Sequence, residues 1–173
     1  MIWIILFIPN KGHIFFVQSR TGENGIIFKL LKFKTLPDDN EGNGNIIWNF
    51  LRKTHLDELP QVFNVLGGDM SLVGPRPLLP EYQPYYNAKS AIYRNTVKPG
   101  ITGLTQVSGG KYLPWSRRFS LDLFYIHHLS FKFDLFIICK TISVFLKSVN
   151  KVPPDQINND ISYLDFIKRY QKY

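Results

Sequence analysis

Between Leu56 and Leu66, apolar residues recur at Leu59, Val62, Phe63 and Leu66, the i, i+3, i+4, i+7 spacing that lines one side of an α-helix. Asp57, Gln61 and Asn64 fall on the opposite side, and Gly67-Gly68 supplies a stop. Pro60 has no N–H to donate and fits only a first turn, so the pattern predicts a helix opening near Leu56 or Asp57. Thr54, three residues before Asp57, offers a capping box that opens the helix slightly earlier.

The same reading gives a coarse layout of the remaining chain. His13 to Gln18 and Ile26 to Lys34 read as strands joined by a turn over Arg20 to Gly25, and Pro37 to Asn45 as a polar loop. Helices are expected over Ile46–Arg52, Leu78–Lys89 and Ser116–His127, with loop-rich chain as far as Gly110. Asp134 to Val149 reads as a helix with Asp at its start and Lys147 near its end. Its apolar residues, Leu135, Phe136, Ile138, Ile142, Phe145 and Leu146 among them, surround most of the circumference, so it is either core or lipid-facing. Ser162 to Gln171 suggests a terminal helix. The fold class is α+β: a helix-rich single domain with a short β-hairpin near the N-terminus and interfacial amphipathic helices.

Three chemical features stand out on this frame. Asp57 and Glu58 lie at the predicted helix start, where the backbone dipole favours ionised carboxylates. Neighbours in a helix point about 100° apart, so the two acids face different ways. An ionised Asp can accept Mg²⁺ or attack phosphorus to give an acyl phosphate, but acids at a helix start also serve simply as caps. In Gly74-Pro75-Arg76-Pro77, prolines restrict the backbone on both sides of Arg76, so little freedom is lost when its guanidinium forks onto phosphate oxygens. In Lys98-Pro99-Gly100-Ile101-Thr102-Gly103, the glycines permit positive φ and close backbone approach. That loop suits either a phosphate or nucleotide pocket or a tight turn between strands.

The ordered strings Ile27-Phe28-Lys29 with Lys32-Phe33-Lys34-Thr35, Leu56-Asp57-Glu58-Leu59-Pro60-Gln61, Gly68 to Pro77, and Lys98 to Leu104 resemble the bacterial sugar transferase family. These are monotopic polyprenyl-phosphate phosphoglycosyl transferases. The resemblance runs from about Ile14 to about Val149. It implies transfer of a sugar-1-phosphate from a UDP-sugar donor to a polyprenyl (undecaprenyl) phosphate acceptor, with release of UMP. Asp57 matches the family's nucleophile and Mg²⁺ ligand, and Glu58 its partner in the catalytic dyad. Arg76, Arg52 and Lys34 match substrate-binding cations. Asp122, in Ser120 to Tyr125, matches an acid near the active site that binds the arginines or the substrate. Asp69 and Asp134 also match family positions, but a turn cap and a helix start explain them adequately.

Composition adds partners and a location. At 173 residues the chain suits one domain with a real core. A net charge of +8 points to a polyanion, and aromatics at 15%, many beside Lys or Arg, suit a membrane surface of anionic lipid. No recognisable nucleic-acid-binding fold accompanies the charge, so no nucleic-acid partner is expected. Cys139, the single cysteine, is expected to be a buried, inert thiol, and His127-His128 to mark a helix end or an interface.

Met1 to Ile8 is nearly all apolar but would extend only ~12 Å as a helix, short of the ~30 Å hydrocarbon core. The resemblance implies a longer segment that enters one leaflet, bends and returns, of which residues 1–12 are read as the remaining arm. The expected organisation is this residual membrane segment at 1–12, a catalytic domain at 13–150 and a tail at 151–173. The expected location is the cytoplasmic face of the bacterial inner membrane, monotopic or peripheral. A non-catalytic membrane-surface or partner-binding remnant of the same fold is the alternative to an enzyme.

Overall fold

The computed structural model describes residues 14–35, 46–85 and 93–149. Strands β1 (Phe15–Thr21) and β2 (Ile27–Phe33) form the expected antiparallel hairpin, with Phe15 opposite Phe33 and Thr21 opposite Ile27. A 3-10 turn at Glu23–Gly25 joins them, with Asn24 and Gly25 at positive φ. Helix α1 (Ile46–Lys53) lays Trp48 and Leu51 against Phe33, while Phe28 and Leu30 pack on Met70. One face of β2 is therefore covered along its length, and the other only at its Phe33 end.

The helix predicted over Leu56–Leu66 divides in two. Leu56–Glu58 is a 3-10 turn, and α2 (Gln61–Leu66) starts only after Pro60. The cause lies upstream, where the Thr54 hydroxyl donates back to the Phe50 carbonyl at 2.7 Å, closing α1 instead of capping the Leu56–Glu58 turn. His55 then reverses the chain at φ 53°. With only one short turn behind them, the two acids draw little from a helix dipole.

The sides of α2 are also reversed relative to solvent. Leu59, Val62, Phe63 and Leu66 are 48, 42, 58 and 78% exposed, whereas Gln61 and Asn64 are 3 and 4% exposed. Asn64 explains the inversion, because its amide accepts from Leu31 N–H at 3.0 Å and donates to the Lys29 carbonyl at 2.8 Å. One side chain thus satisfies two backbone groups on β2, which a buried strand edge requires.

A second, parallel pair joins β3 (Ser71–Val73) to β4 (Gly100–Thr102). The Lys98–Gly103 segment is therefore neither a tight turn nor a positive-φ loop, since neither Gly100 nor Gly103 has positive φ. Its glycines serve backbone approach instead: a Cβ on either residue would land on the backbone of Gly74. Ser71 N–H donates to Pro99 O at 2.8 Å, and Gly74 N–H to Thr102 O at 2.9 Å.

The remaining elements are α3 (Leu104–Val107), α4 (Trp115–His127) and α5 (Phe131–Val149). The largest core joins Val73, Leu104, Leu121, Tyr125, Phe133 and Ile137. Helix α5 begins before the expected Asp134, where Ser130 Oγ accepts from Phe133 N–H at 3.3 Å. Phe133 and Ile137 are fully buried, while Leu135, Ile142 and Leu146 face outward, so α5 is core on one side only. Cys139, expected to be buried, is exposed, because it lies across the helix from Ile137. His128 does mark a helix end, bonding the Phe124 carbonyl at 2.8 Å.

Of the predicted Leu78–Lys89 helix, a 3-10 segment at Pro80–Tyr85 is described. Leu78 and Leu79, expected to open that helix, are not helical, because the helical chain starts at Pro80; residues 86–89 lie outside the described residues, as do the 1–12 segment, the Pro37–Asn45 loop, the 151–173 tail and its terminal helix. Among the described residues no helix is long and apolar enough to cross a membrane. The fold is a helix-rich α+β domain with the hairpin at its N-terminal side.

Candidate active site

The turn after α1 sends Asp57 and Glu58 in different directions. Glu58 is buried, and its Oε1 accepts from Lys32 Nζ at 2.7 Å and from Arg76 Nη2 at 2.9 Å. Burial pushes its carboxyl up, but Arg76 and then Lys32, through charge and hydrogen bonds, outweigh that and bring it down to about 2. Asp57 is treated oppositely. Its Oδ1 is buried with no hydrogen-bond partner. Burial, and after it the Glu58 charge, raises the Asp57 carboxyl above its ordinary value, with Lys32 and His55 opposing. Two adjacent acids with diverging environments are the arrangement by which proteins separate a reactive carboxylate from a structural one.

The Glu58 shift has a stability consequence. Its folded carboxyl titrates below the ordinary 4.5, so the stabilisation is complete above pH 4.5 and lost as pH falls towards 2. Urea unfolding between those pH values should lose about 3 kcal/mol through this group. Glu58→Gln should flatten that part of the profile, and an unchanged slope would show that the carboxylate is not held this way.

Arg76 reaches Glu58 from the loop after β3, with its side chain about half exposed. Pro75 and Pro77 have no N–H, so their segment can be anchored only through carbonyls and the single Arg76 N–H. Gly100 N–H donates to Pro75 O at 3.0 Å, Arg20 Nη1 to Pro77 O at 3.3 Å, and Arg94 Nη2 to Arg76 O. Arg20, Gln61, Leu30, Arg76 and Pro77 line a small cavity beside Gly100. Glu58, Arg76, Lys32 and Arg20 thus form one cation-rich cluster next to Asp57.

Arg52, Lys34 and Asp122 make other described contacts. Arg52 ends α1 and donates to Asn49 Oδ1 at 2.5 Å. Lys34 follows β2 and donates its backbone N–H to Ile14 O at 2.8 Å. Asp122 is turned inward from α4, with Oδ2 on Arg94 Nε at 2.7 Å and Oδ1 on the Thr105 hydroxyl at 2.6 Å. Its arginine partner is Arg94, not Arg76 or Arg52. Asp69 accepts from Asn64 Nδ2 at 3.3 Å, and Asp134 accepts from the Tyr125 hydroxyl at 2.8 Å.

Sequence reasoning missed Lys32, Arg20 and Arg94. Lys32 carried a signal, because Phe28, Leu30 and Lys32 alternate along the inward face of β2 and a lysine there needs a buried acid. Arg20 lies opposite Phe28 in the hairpin, a pairing visible only once the register is known. No periodicity marks Arg94.

Among the described residues, no group of three or more His, Cys, Asp or Glu could hold a metal ion. The bare, buried Asp57 Oδ1 still fits one ligand position of a Mg²⁺ whose remaining ligands are phosphate oxygens and water.

Comparison with known proteins places the chain in a family. The bacterial sugar transferase family matches residues 1–148. EpsL of Bacillus subtilis (strain 168), an uncharacterized sugar transferase, is 44% identical over 144 residues, covering 78% of this chain and 71% of the relative. The exopolysaccharide production protein ExoY of Rhizobium meliloti (strain 1021) is 32% identical, covering 82% and 74%. The UDP-glucose:undecaprenyl-phosphate glucose-1-phosphate transferase of Klebsiella pneumoniae is 39% identical over 82% of this chain, which spans only 34% of that longer protein. With the family matched over most of its length and Asp57 and Glu58 set within an arginine and lysine cluster, the chain belongs to the bacterial sugar transferase family.

Proposed function

We propose that this protein transfers a sugar-1-phosphate from a UDP-sugar to a polyprenyl phosphate, releasing UMP and starting a membrane-linked glycan. The observation that carries this reading is the Asp57 carboxylate, whose Oδ1 is buried without a partner beside Glu58, Lys32 and Arg76. Asp57 attacks the sugar-bearing phosphorus, and the bond from that phosphorus to the UMP oxygen breaks. An aspartyl phosphate carrying the sugar remains on the enzyme. An oxygen of the polyprenyl phosphate then attacks the same phosphorus and displaces the Asp57 carboxylate, leaving polyprenyl diphosphate–sugar. Arg76 binds diphosphate oxygens, and Glu58 keeps Arg76 and Lys32 in place for that contact. A Mg²⁺ held by Asp57 and the donor would supply neutralising charge for the diphosphate. The names of the undecaprenyl-phosphate transferases among its relatives support this donor and acceptor class.

Two surface features support a lipid acceptor and a membrane-surface location. The outward side of α2 exposes Val62, Phe63 and Leu66 a few residues from the dyad. An open groove of about 410 Å³ continues from Val65 past Leu72, Phe131, Leu135 and Ile138, with Lys98 at its wall. The mostly apolar walls suit an alkyl chain, with Lys98 to meet an anionic head and Asp134, bonded to the Tyr125 hydroxyl, also in the lining. Replacing Val62, Phe63 and Leu66 with Ser should weaken sedimentation with phosphatidylglycerol vesicles about tenfold or more. Unchanged sedimentation would place the lipid contact elsewhere.

The functional reading is tested by UMP release from a panel of UDP-sugars in vesicles containing polyprenyl phosphate. Turnover with at least one donor, dependent on Mg²⁺, is expected. Vesicle binding without UMP release from any donor would instead favour the non-catalytic remnant.

A further inference from the structure

Behind the candidate site, a buried polar chain runs from the helical core to the Arg76 backbone. Arg94 and Asp122 are 6 and 4% exposed, and their Nε–Oδ2 contact is 2.7 Å. The Thr105 hydroxyl, from α3, occupies the other carboxylate oxygen at 2.6 Å. The Phe119 ring lies 5.9 Å from the Arg94 guanidinium carbon. A buried ion pair of this kind is costly to desolvate and is retained only when its remaining polar groups are engaged. Here the engaged group is the Arg94 Nη2, which donates to the Arg76 carbonyl. That carbonyl is one of three successive ones held from different elements, and the only one belonging to Arg76 itself.

We propose that Arg94, oriented by Asp122 and Thr105, is a positioning residue that fixes the Arg76 peptide and so holds the Arg76 guanidinium on Glu58. This inference rests on the reading of Arg76 and Glu58 as parts of the transfer site. Pro75 fixes its own φ and Pro77 keeps Arg76 out of the helical region, but within the extended range left to it the peptide plane between Arg76 and Pro77 can still tilt. The Arg94 contact acts on that plane. It links α3 and α4, through Thr105, Asp122 and Arg94, to the Arg76 backbone.

The test replaces the ion pair by apolar residues, Arg94→Met with Asp122→Leu, which leaves no unpaired buried charge. The Thr105 hydroxyl retains the Arg118 carbonyl, 3.1 Å away. Thermal unfolding should stay within a few degrees of wild type. The ¹⁵N heteronuclear NOE of the Arg76 Nε–H, a readout independent of chemistry, should change from rigid to mobile. UMP release should show a kcat lowered ten- to a hundredfold, with KM for the donor changed less than threefold. In an Arg76→Ala background the same double replacement should cause no further loss.

A rigid Arg76 signal in the double variant, or losses that multiply with Arg76→Ala, would overturn the proposal. If the double variant unfolds, Arg94→Lys goes through the same measurements, since it keeps a cation for Asp122 but lacks the second nitrogen for the Arg76 carbonyl. If wild type itself releases no UMP, the functional reading fails while the NOE still decides the positioning role.

Discussion

Replacing Asp57 with Asn lowers UMP release by about four orders of magnitude or more and leaves the protein folded. An amide has the size and shape of the carboxylate but is too weak a nucleophile to displace UMP, and the loss of a nucleophile generally costs this much. Asp57 Oδ1 has no partner to lose, and burial already disfavours its charge. The Asp57→Asn variant should therefore unfold at the same temperature or slightly higher. The Lys32 and Arg76 contacts converge on Glu58, not on Asp57, so the neighbouring cluster survives the change. The check pairs a UMP-release assay with thermal unfolding. Retention of more than about 1% of wild-type turnover would remove Asp57 from the chemistry.

Arg76→Lys carries the next largest effect, a loss of roughly 10²- to 10³-fold in kcat/KM for the donor. A lysine keeps the positive charge and can still reach an acid, but it cannot present two parallel N–H groups to a phosphate. Arg76 is half exposed while Glu58 beneath it is buried, so one guanidinium nitrogen is committed to the acid and the outer edge remains for substrate. The substitution thus separates charge from geometry. A loss below threefold would mean that Arg76 supplies only a positive field, and Glu58 would then need another explanation for its burial.

How much of this was legible in the sequence differs from element to element. The hairpin, α1, α4 and α5 followed from strand alternation and helical periodicity within a few residues. Asp57, Glu58 and Arg76 stand out in the sequence because their flanking prolines and turn signals are local. The outward face of α2 was not found, because periodicity reports which residues share a side and not which side meets water. Asn64 decides that question through bonds to Lys29 and Leu31, more than thirty residues away in the chain. The Lys98–Gly103 segment failed similarly: its glycines answer to the Gly74 backbone, a contact that local turn chemistry cannot show. Lys32 escaped notice as the lysine partner of Glu58 because the inward face it shares with Phe28 and Leu30 is set by tertiary contacts, not by its place in a motif. Arg94 depends entirely on tertiary contacts with Asp122 and Arg76.

The central claim is a transient covalent bond between Asp57 and phosphorus. Its most direct measurement is intact-protein and peptide mass spectrometry after an acid quench of wild type with donor and no acceptor. The account predicts a mass increase equal to one sugar-phosphate, located on the peptide containing Asp57 and discharged on adding polyprenyl phosphate. Lipid-linked product that accumulates while Asp57 stays unmodified at every quench time would contradict it.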